Sequence, residues 1–255
     1  RDFCLSRGLG DVYKRQDDIF FQKYSQMSRS QQGLAGAGEW ETLRKLLPDF
    51  KDKRVLDLGC GYGWHCIYAM EHGASSVVGV DISHKMLEVA KEKTHFPQVE
   101  YKCCAIEDVE FPEESFDVIL SSLAFHYVAD YEILVKKIYR ILKSGGKLVF
   151  TVEHPVFTAY GTQDWYYNEK GEILHFPVDN YYYEGKRTAV FLGEKVTKFH
   201  RTLTTYLNTL LSNGFIINHI VEPQPPEYMM DIPGMQDEMR RPMMLIVSAN
   251  KKVDR

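Results

Sequence analysis

Short runs rich in Val, Ile and Leu alternate with amphipathic helical segments between Arg54 and Glu153. Apolar strands that alternate with helices indicate a parallel β-sheet covered by helices on both faces. The strand segments are RVLDL, SVVGVD, VEYKCCA, FDVILSS and KLVFTVE, and the helical segments are WHCIYAMEHG, SHKMLEVAKEK and YEILVKKIYRILKSGG. The alternation therefore predicts a doubly wound α/β sheet.

The alternation stops at His154, and residues 154–198 are crowded with Phe, Tyr and Trp. We interpret this segment as an inserted, aromatic-rich lid. Beyond it the pattern predicts a helix over HRTLTTYLNTLLSNG, with His200 and Arg201 on its solvated face, and then two strands, FIINHIVE and MMLIVSA. Strands joined without a crossover helix pair antiparallel, so the last strand should run antiparallel.

Five segments follow from these patterns. Residues 1–16 lack periodicity and a leader-like apolar centre, and we interpret them as a non-native or disordered extension. Residues 17–50 are expected to form helices over the ligand site, and residues 51–153 form the binding core. Residues 154–198 are the lid, and residues 199–255 complete the sheet.

The first predicted strand runs directly into a turn that contains three glycines, Gly59, Gly61 and Gly63. In a doubly wound sheet, ligands bind beyond the carboxyl ends of the strands, and a nucleotide-like ligand approaches the backbone at the first turn. The glycines are expected where a Cβ would obstruct that approach. The dinucleotide fingerprint requires Gly or Ala at the next position, which Trp64 occupies, so a dinucleotide is disfavoured.

Two carboxylates bear on the charge of the ligand. Asp57 ends the first strand, where it would repel a pyrophosphate but attract a ligand that carries an ammonium and a sulfonium. Asp81 ends the second strand, where such folds hold a carboxylate that accepts hydrogen bonds from the ribose hydroxyls. Together they favour S-adenosylmethionine as the cofactor.

The segments VLDLGCGYG, VVGVDIS, FPEESFDVILSSLAFHYV and LKSGGKLVF, in this order and spacing, resemble the class I S-adenosylmethionine-dependent methyltransferases of the small-molecule branch. The resemblance covers residues 51–153 and implies a Rossmann-like, seven-stranded sheet. It implies that Asp57 and the turn hold the methionine portion, that Asp81 holds the ribose and that Ile82 flanks adenine. The cofactor-binding residues implied in this way are Tyr24, over the methionine carboxylate, Asp57, Gly59, Gly61, Gly63, Asp81, Ile82 and Ser122.

The chain departs from the family pattern after its third strand. Many relatives carry an Asp there that accepts a hydrogen bond from adenine, whereas CCAIEDVEF has Ala105. Either Glu107 replaces that Asp, with the amide of Ile106 serving the adenine ring, or packing alone holds adenine. Asp108 is equally able to be a solvated loop acid.

Three residues are candidates for the transfer step. Glu153 and His154 follow the strand KLVFTVE, at the edge where this fold places substrate-facing groups. We predict that His154 is a general base, that Glu153 orients it or the substrate, and that His126 is the second candidate base. The alternatives are a mere strand terminus at Glu153 and His154, and a core histidine at position 126.

The composition favours a small-molecule acceptor. The formal net charge of −4 disfavours nucleic acid, and the apolar runs are too short for a membrane span. Five scattered cysteines without zinc-ligand or CxxC spacing suit a reducing cytoplasm and no metal, with Cys103 and Cys104 expected as buried apolar residues.

Some alternatives stay open at this point. The lid could be a small satellite core, an aromatic cage for an apolar or cationic acceptor, or both. The oligomeric state is undetermined by the sequence. An NAD(P)-dependent oxidoreductase and a non-catalytic S-adenosylmethionine-binding regulatory protein are the alternative functions.

Overall fold

The computed structural model describes residues 18–253. Its strands are β1 (Arg54–Leu58), β2 (Ser76–Asp81), β3 (Val99–Cys103), β4 (Phe116–Ser122), β5 (Leu142–Glu153), β6 (Tyr166–Tyr167), β7 (Ile173–His175), β8 (Gly185–Phe191), β9 (Glu194–His200), β10 (Phe215–Val221) and β11 (Met244–Lys251). Seven of these strands form one sheet in the order β10-β11-β5-β4-β1-β2-β3. β11 pairs antiparallel with β5 and with β10, whereas the other pairings are parallel. The predicted seven-stranded sheet with an antiparallel last strand is confirmed.

Helices cover both faces of this sheet. They are α1 (Asp18–Ser25), α2 (Ser28–Gln31), α3 (Trp40–Leu43), α4 (Trp64–Glu71), α5 (His84–Lys93), α6 (Tyr131–Ile141), α7 (Pro155–Ala159) and α8 (Leu203–Ser212). Side-chain oxygens of Ser83 and Asp130 accept backbone N–H groups at the starts of α5 and α6, as capping residues do. α6 buries Leu134, Val135 and Ile138 on the face that meets the core, as its apolar spacing predicts.

The fifth strand begins earlier than its apolar pattern predicts. β5 starts at Leu142, which pairs with Phe116, and the next pairing joins Lys147 to Val118. The intervening residues 143–146 bulge from the ladder, with Gly145 at a φ of 73°. Residues 142–146, which the sequence pattern assigned to the end of the preceding helix, therefore belong to the strand and contain this irregularity.

The insertion between β5 and α8 contains α7 and two antiparallel hairpins, β6–β7 and β8–β9. β9 continues to His200, so the expectation of a helix from that residue is wrong. Thr202 caps α8 by accepting the N–H of Thr205, and a capping residue has extended backbone, so the helix begins only at Leu203.

His200 and Arg201 are buried rather than solvated, which corrects the sequence interpretation. The His200 ring lies 2.7 Å from Thr158 Oγ1 and 2.9 Å from the carbonyl oxygen of Tyr181. Arg201 donates to the carbonyl oxygens of Val128 and Ala129. These long-range hydrogen bonds hold the insertion against the core.

The segment before β1 consists of short helices and turns rather than one long helix. Trp40 and Leu43 are buried, whereas Leu46 and Leu47 are only half-buried. The proposed extension, residues 1–16, lies outside the described residues. Within residues 18–253, every helix is too short or too polar to cross a bilayer.

The two adjacent cysteines differ from their expected burial. Cys103 is exposed and Cys104 is half-buried. The reason is that β3 is the edge strand of the sheet, so its end has a neighbouring strand on one side only.

Candidate functional site

The glycine turn lies between β1 and α4, at the carboxyl edge of the sheet. Gly59, Gly61 and Gly63 have φ values of 80°, 53° and 74°, a region that favours glycine. A Cβ on Gly59 would lie 2.4 Å from the Cβ of Ala124, and a Cβ on Gly63 would lie 2.2 Å from the Tyr101 hydroxyl. Gly59 and Gly63 are therefore both required by packing, against Ala124 and against β3, and Gly59 and Gly61 also line a cleft.

Asp57 lies beneath this turn, where its side chain is 1 % exposed. Its Oδ2 accepts the Cys66 thiol at 3.5 Å, and its Oδ1 has no hydrogen-bond partner among the described residues. Burial raises the pKa of Asp57 to about 7, and the nearby Asp81 carboxylate adds to the increase. The site thus holds a carboxylate that a neighbouring positive charge would ionise.

Asp81 ends β2 and reaches the same turn. Its Oδ2 accepts the N–H of Gly61 and its Oδ1 accepts the N–H of Ser83, both at 2.9 Å. The carboxylate is therefore fixed beside the cleft with further lone pairs available for hydroxyl groups. The predicted neighbour Ile82 follows it and is half-buried.

The cleft has about 460 Å³ of empty space, part of it open to solvent, and Gly59, Gly61 and Ser122 are among the residues that line it. Tyr24, from α1, forms part of its cover: its ring lies edge-on to Tyr62 at 5.6 Å between centroids. Tyr24, Gly59, Gly61 and Ser122 were all predicted from the sequence as cofactor contacts, and the fold brings them to one cavity.

Among the polar residues of the cleft that were not predicted from the sequence as cofactor contacts are Arg29, Ser30 and Trp64. Arg29 forms an ion pair with the buried carboxylate of Glu39. Ser30 Oγ and Trp64 Nε1 are buried without a hydrogen-bond partner among the described residues. Arg29 and Ser30 belong to no recognisable motif, and Trp64 served only to disfavour a dinucleotide, so spacing alone did not mark this group of donors.

The candidate adenine-binding residues lie in a 3₁₀ turn, Ile106–Asp108, next to the glycine turn. The Ile106 side chain would lie 3.5 Å from a Cβ on Gly59. Burial raises the pKa of the Glu107 carboxyl group. The roles of Ile106 and Glu107 toward adenine stay predictions, as does the alternative that packing alone holds the ring.

His154 has a hydrogen bond at one ring nitrogen and a carboxylate close to the other. Its Nδ1 accepts the N–H of Val156 at 3.1 Å, which caps α7, and its Nε2 lies 2.8 Å from Glu222 Oε1. Burial lowers the pKa of His154, and Glu222 only partly opposes this. In the neutral ring Nε2 therefore bears the proton, an arrangement that favours positioning over proton abstraction.

Glu153 and His126 lie side by side at the end of β5. The N–H of Glu153 donates to Nδ1 of His126 at 3.3 Å, and His126 is 1 % exposed. Glu153 Oε1 accepts Lys198 Nζ at 2.6 Å, and Oε2 accepts Gln163 Nε2 at 2.7 Å. Burial alone would raise the pKa of Glu153, but His126 and Lys198 outweigh it, so the pKa lies below its usual range.

The aromatic residues of the lid surround a cation of the chain itself. The Arg241 guanidinium lies 4.5 Å from the Phe157 centroid, 5.1 Å from Trp165 and 4.8 Å from Phe176. Arg241 also pairs with Glu238 through two hydrogen bonds. This part of the lid is therefore a satellite core that joins the insertion to the loop before β11.

Comparisons with known proteins agree with this geometry. The methyltransferase domain family matches residues 56–150. A solved S-adenosylmethionine-dependent methyltransferase from Mesorhizobium loti is 41% identical, with a TM-score of 0.79, over 86% of this chain and 100% of that one. The chain belongs to the class I S-adenosylmethionine-dependent methyltransferases. It is therefore an enzyme of this type with S-adenosylmethionine as its cofactor, as the sequence predicted.

Two other relatives extend the comparison of this methyltransferase. A solved Listeria monocytogenes protein, provisionally assigned to the same class, is 58% identical with a TM-score of 0.83, over 86% of this chain and 99% of that one. The ubiquinone biosynthesis O-methyltransferase of Coxiella burnetii is 36% identical over 112 residues, which are 43% of this chain and 47% of that enzyme. The methyltransferase thus matches about half of the Coxiella enzyme.

Proposed function

We propose that this methyltransferase transfers the methyl group of S-adenosylmethionine to an oxygen or nitrogen nucleophile of a small molecule. The observation that supports the cofactor site is the charge pattern of the cleft. Arg29, Ser30 and Trp64 present donors suited to a carboxylate, and two of them have no partner among the described residues. The buried Asp57 nearby suits an ammonium, so the site fits the zwitterionic end of the cofactor.

The remaining residues are assigned in the same way. Asp81 would bind the ribose hydroxyls, and Tyr24 would cover the methionine portion. The backbone of Gly59 and Gly61 would allow close approach, Gly63 would keep the turn packed, and Ser122 would line the pocket. Ile82 and Ile106 would flank adenine, with Glu107 as the candidate partner of its amino group.

When bound, the cofactor supplies an activated methyl group on sulfur, so the protein needs to add little chemistry of its own. Its residues orient the acceptor in line with the bond that breaks, and they exclude water. Glu153 is ionised and lies at the acceptor-facing edge, where it can accept a hydrogen bond from a hydroxyl or amine. His126 and His154 position the surrounding backbone, and a base role for either stays a prediction.

The acceptor class rests on two observations. The net charge of −4 opposes binding of a polyanion. The fourth strand continues as SSLAFHY, and it lacks the [DN]PP[YF] pattern, which resembles the mark of methyltransferases that act on nucleobase amines. The name of the Coxiella relative is that of an O-methyltransferase, which makes a hydroxyl group the first candidate.

The test of this proposal needs no prior choice of acceptor. The protein is incubated with methyl-labelled S-adenosylmethionine and a cell metabolite extract, and mass spectrometry identifies labelled products. We expect a labelled small molecule that is absent when the Asp57→Asn variant replaces the wild type. Measurable heat of binding with S-adenosylhomocysteine but no product from any extract would instead favour the non-catalytic binding protein.

Arg29 provides a second test of the same site. Removing Arg29 alone would leave the buried Glu39 carboxylate unpaired, so the informative variant is Arg29→Met combined with Glu39→Gln. A charged hydrogen bond contributes about 1.5–3 kcal/mol, so affinity for S-adenosylhomocysteine should fall about 10- to 100-fold. Calorimetry measures this loss.

The single variant Glu39→Gln is the matched control, since it retains the guanidinium. It should bind S-adenosylhomocysteine within about threefold of the wild type. Equal affinities for the double variant and the control would show that Arg29 does not hold the cofactor.

A further inference from the structure

A network of three side chains, the buried Lys198 and the half-buried Glu153 and Gln163, joins the lid to the core. Lys198 Nζ donates to Glu153 Oε1 at 2.6 Å and to Gln163 Oε1 at 2.8 Å, and Gln163 Nε2 donates to Glu153 Oε2 at 2.7 Å. The Lys198 side chain is 3 % exposed and that of Glu153 is 12 % exposed. Glu153 is thus the member of the ion pair with more access to solvent.

The network lies further along β5 than the cofactor cleft. Thr151 of β5 pairs with Ser122, which lines the cleft. Glu153 follows two residues later on the same strand, roughly 7 Å further along at the usual rise per residue. Glu153 therefore ends β5 at the carboxyl edge of the sheet, the edge at which this fold binds its ligands.

Two features indicate that this network serves more than stability. Apolar side chains of similar volume often stabilise a core as well as a buried ion pair does, so the pair is poorly explained by stability alone. Gln163 has a φ of 65°, a conformation that non-glycine residues rarely adopt. Residues held in such conformations cluster at functional sites. The strained Gln163 binds both members of the pair, which fixes their relative orientation.

We infer that Lys198 and Gln163 are positioning residues that keep Glu153 ionised and oriented to accept a hydrogen bond from the O–H or N–H group of the methyl acceptor. This inference rests on the proposed function. As the new oxygen–carbon or nitrogen–carbon bond forms, the carbon–sulfur bond breaks and its electron pair stays on sulfur. The acceptor's proton passes along the hydrogen bond to Glu153 and from there to water.

The polar and charged groups that act on Glu153 come from four different parts of the chain, and β11, which pairs with β5 here, brings the apolar Met244 opposite Glu153. These groups are Lys198 from β9, Gln163 from the loop before β6, His126 from the 3₁₀ turn after β4, and the Tyr206 hydroxyl from α8. Lys198 also lies 6.0 Å from the Tyr127 centroid and 5.7 Å from that of Phe191. Lys198 is the lysine that the structure places against the carboxylate, and it lowers the pKa of Glu153 by its charge and its hydrogen bond, so its removal should raise that pKa.

The decisive variant is Lys198→Met. Its transfer rate is measured from pH 5 to 8 with the acceptor that the labelled product identifies. A buried carboxylate without its cation has a raised pKa, so the acidic limb of the rate profile should move up by at least about one pH unit. Lys198→Arg should restore the limb, and Lys195→Met, an exposed lysine of the same strand, should leave it unchanged. A Lys198→Met limb that coincides with the wild type would overturn the inference.

Thermal melting gives an independent measurement that needs no acceptor. In the wild type the lowered pKa of Glu153 stabilises the fold above the ordinary glutamate pKa, and this stabilisation is lost as the pH falls. In Lys198→Met the pKa of Glu153 should be raised instead, so ionisation of Glu153 destabilises the fold. The difference in melting temperature between the wild type and Lys198→Met should therefore increase from pH 4.5 to pH 7. In Lys198→Met combined with Glu153→Gln the difference should change far less over this range, because only the wild-type Glu153 then titrates, and its pKa is lowered.

The two measurements separate the two claims. A difference in melting temperature that is independent of pH in Lys198→Met would show that Lys198 does not set the charge of Glu153, whatever the acceptor. The difference in melting temperature for Lys198→Met could increase with pH while Glu153→Gln still transfers the methyl group at the wild-type rate. That result would also overturn the positioning role, but it would leave the methyltransferase function intact. Absence of any labelled product from the wild type would count against the proposed function alone.

Discussion

Asp57→Asn should weaken binding of S-adenosylmethionine by about 100-fold. A buried carboxylate a few ångströms from a cation contributes about 3 kcal/mol at an effective dielectric constant near 20, which corresponds to this loss. The side chain is 1 % exposed, so water does not screen the interaction. The amide keeps the shape of the side chain, so the change isolates the charge.

The pH dependence gives this prediction a distinctive signature. The pKa of Asp57 is raised to about 7, so below pH 7 the ligand-free protein carries a proton there that a cationic ligand must displace. Wild-type affinity should therefore rise between pH 5.5 and 7.5, by up to tenfold per unit below pH 7. Calorimetry in two buffers of different ionisation enthalpy would detect the released proton.

The same shift affects the stability of the ligand-free protein. A carboxyl group whose folded pKa exceeds its unfolded value stabilises the fold only while protonated, so its contribution is lost as pH rises from about 4 through 7. Asp57→Asn should remove that loss and raise the free energy of unfolding at pH 8 by a few kcal/mol. Asp108→Asn is the control, and an unchanged pH slope in Asp57→Asn would contradict the assignment of the charge.

The local patterns of the chain were sufficient to predict the sheet. Buried strands, capped helices and a glycine turn each occupy a few consecutive residues, so spacing alone indicates them. Asp57, Asp81 and the glycines were predictable for the same reason. The bulge at residues 143–146 was not, because it depends on the pairing of β5 with β4.

The missed residues depend on contacts between distant parts of the chain. Arg29 reaches the cleft because short helices fold over the glycine turn, and no motif marks that segment. Lys198 contacts Glu153, which lies 45 positions earlier in the sequence, and Arg201 contacts Val128, which lies 73 positions earlier. Such pairings arise from tertiary packing and leave no periodic signal, which is why a lysine and an arginine in the lid region were interpreted as surface charge or overlooked.

Gly59→Ala should abolish cofactor binding and destabilise the fold. The added Cβ would lie 2.4 Å from the Cβ of Ala124, and both atoms are attached directly to backbone, so neither can rotate away. A φ of 80° costs a further 1–2 kcal/mol for an L-residue, about the value for the left-handed region. With about 1–3 kcal/mol for overpacking, the free energy of unfolding in urea should fall by about 2–5 kcal/mol.

Two further variants separate the steric clash from the backbone strain. Gly171→Ala introduces the same strain at a φ of 78° where no atom lies within 4 Å of the new Cβ, so it should cost only about 1–2 kcal/mol and leave binding intact. Adding Ala124→Gly to Gly59→Ala removes the clashing atom, because the nearest remaining contacts would be 3.5 Å and 3.9 Å. The double variant should recover most of the affinity for S-adenosylhomocysteine. If it binds no better than Gly59→Ala, the glycine is required by the ligand itself rather than by the contact between the turn and residue 124.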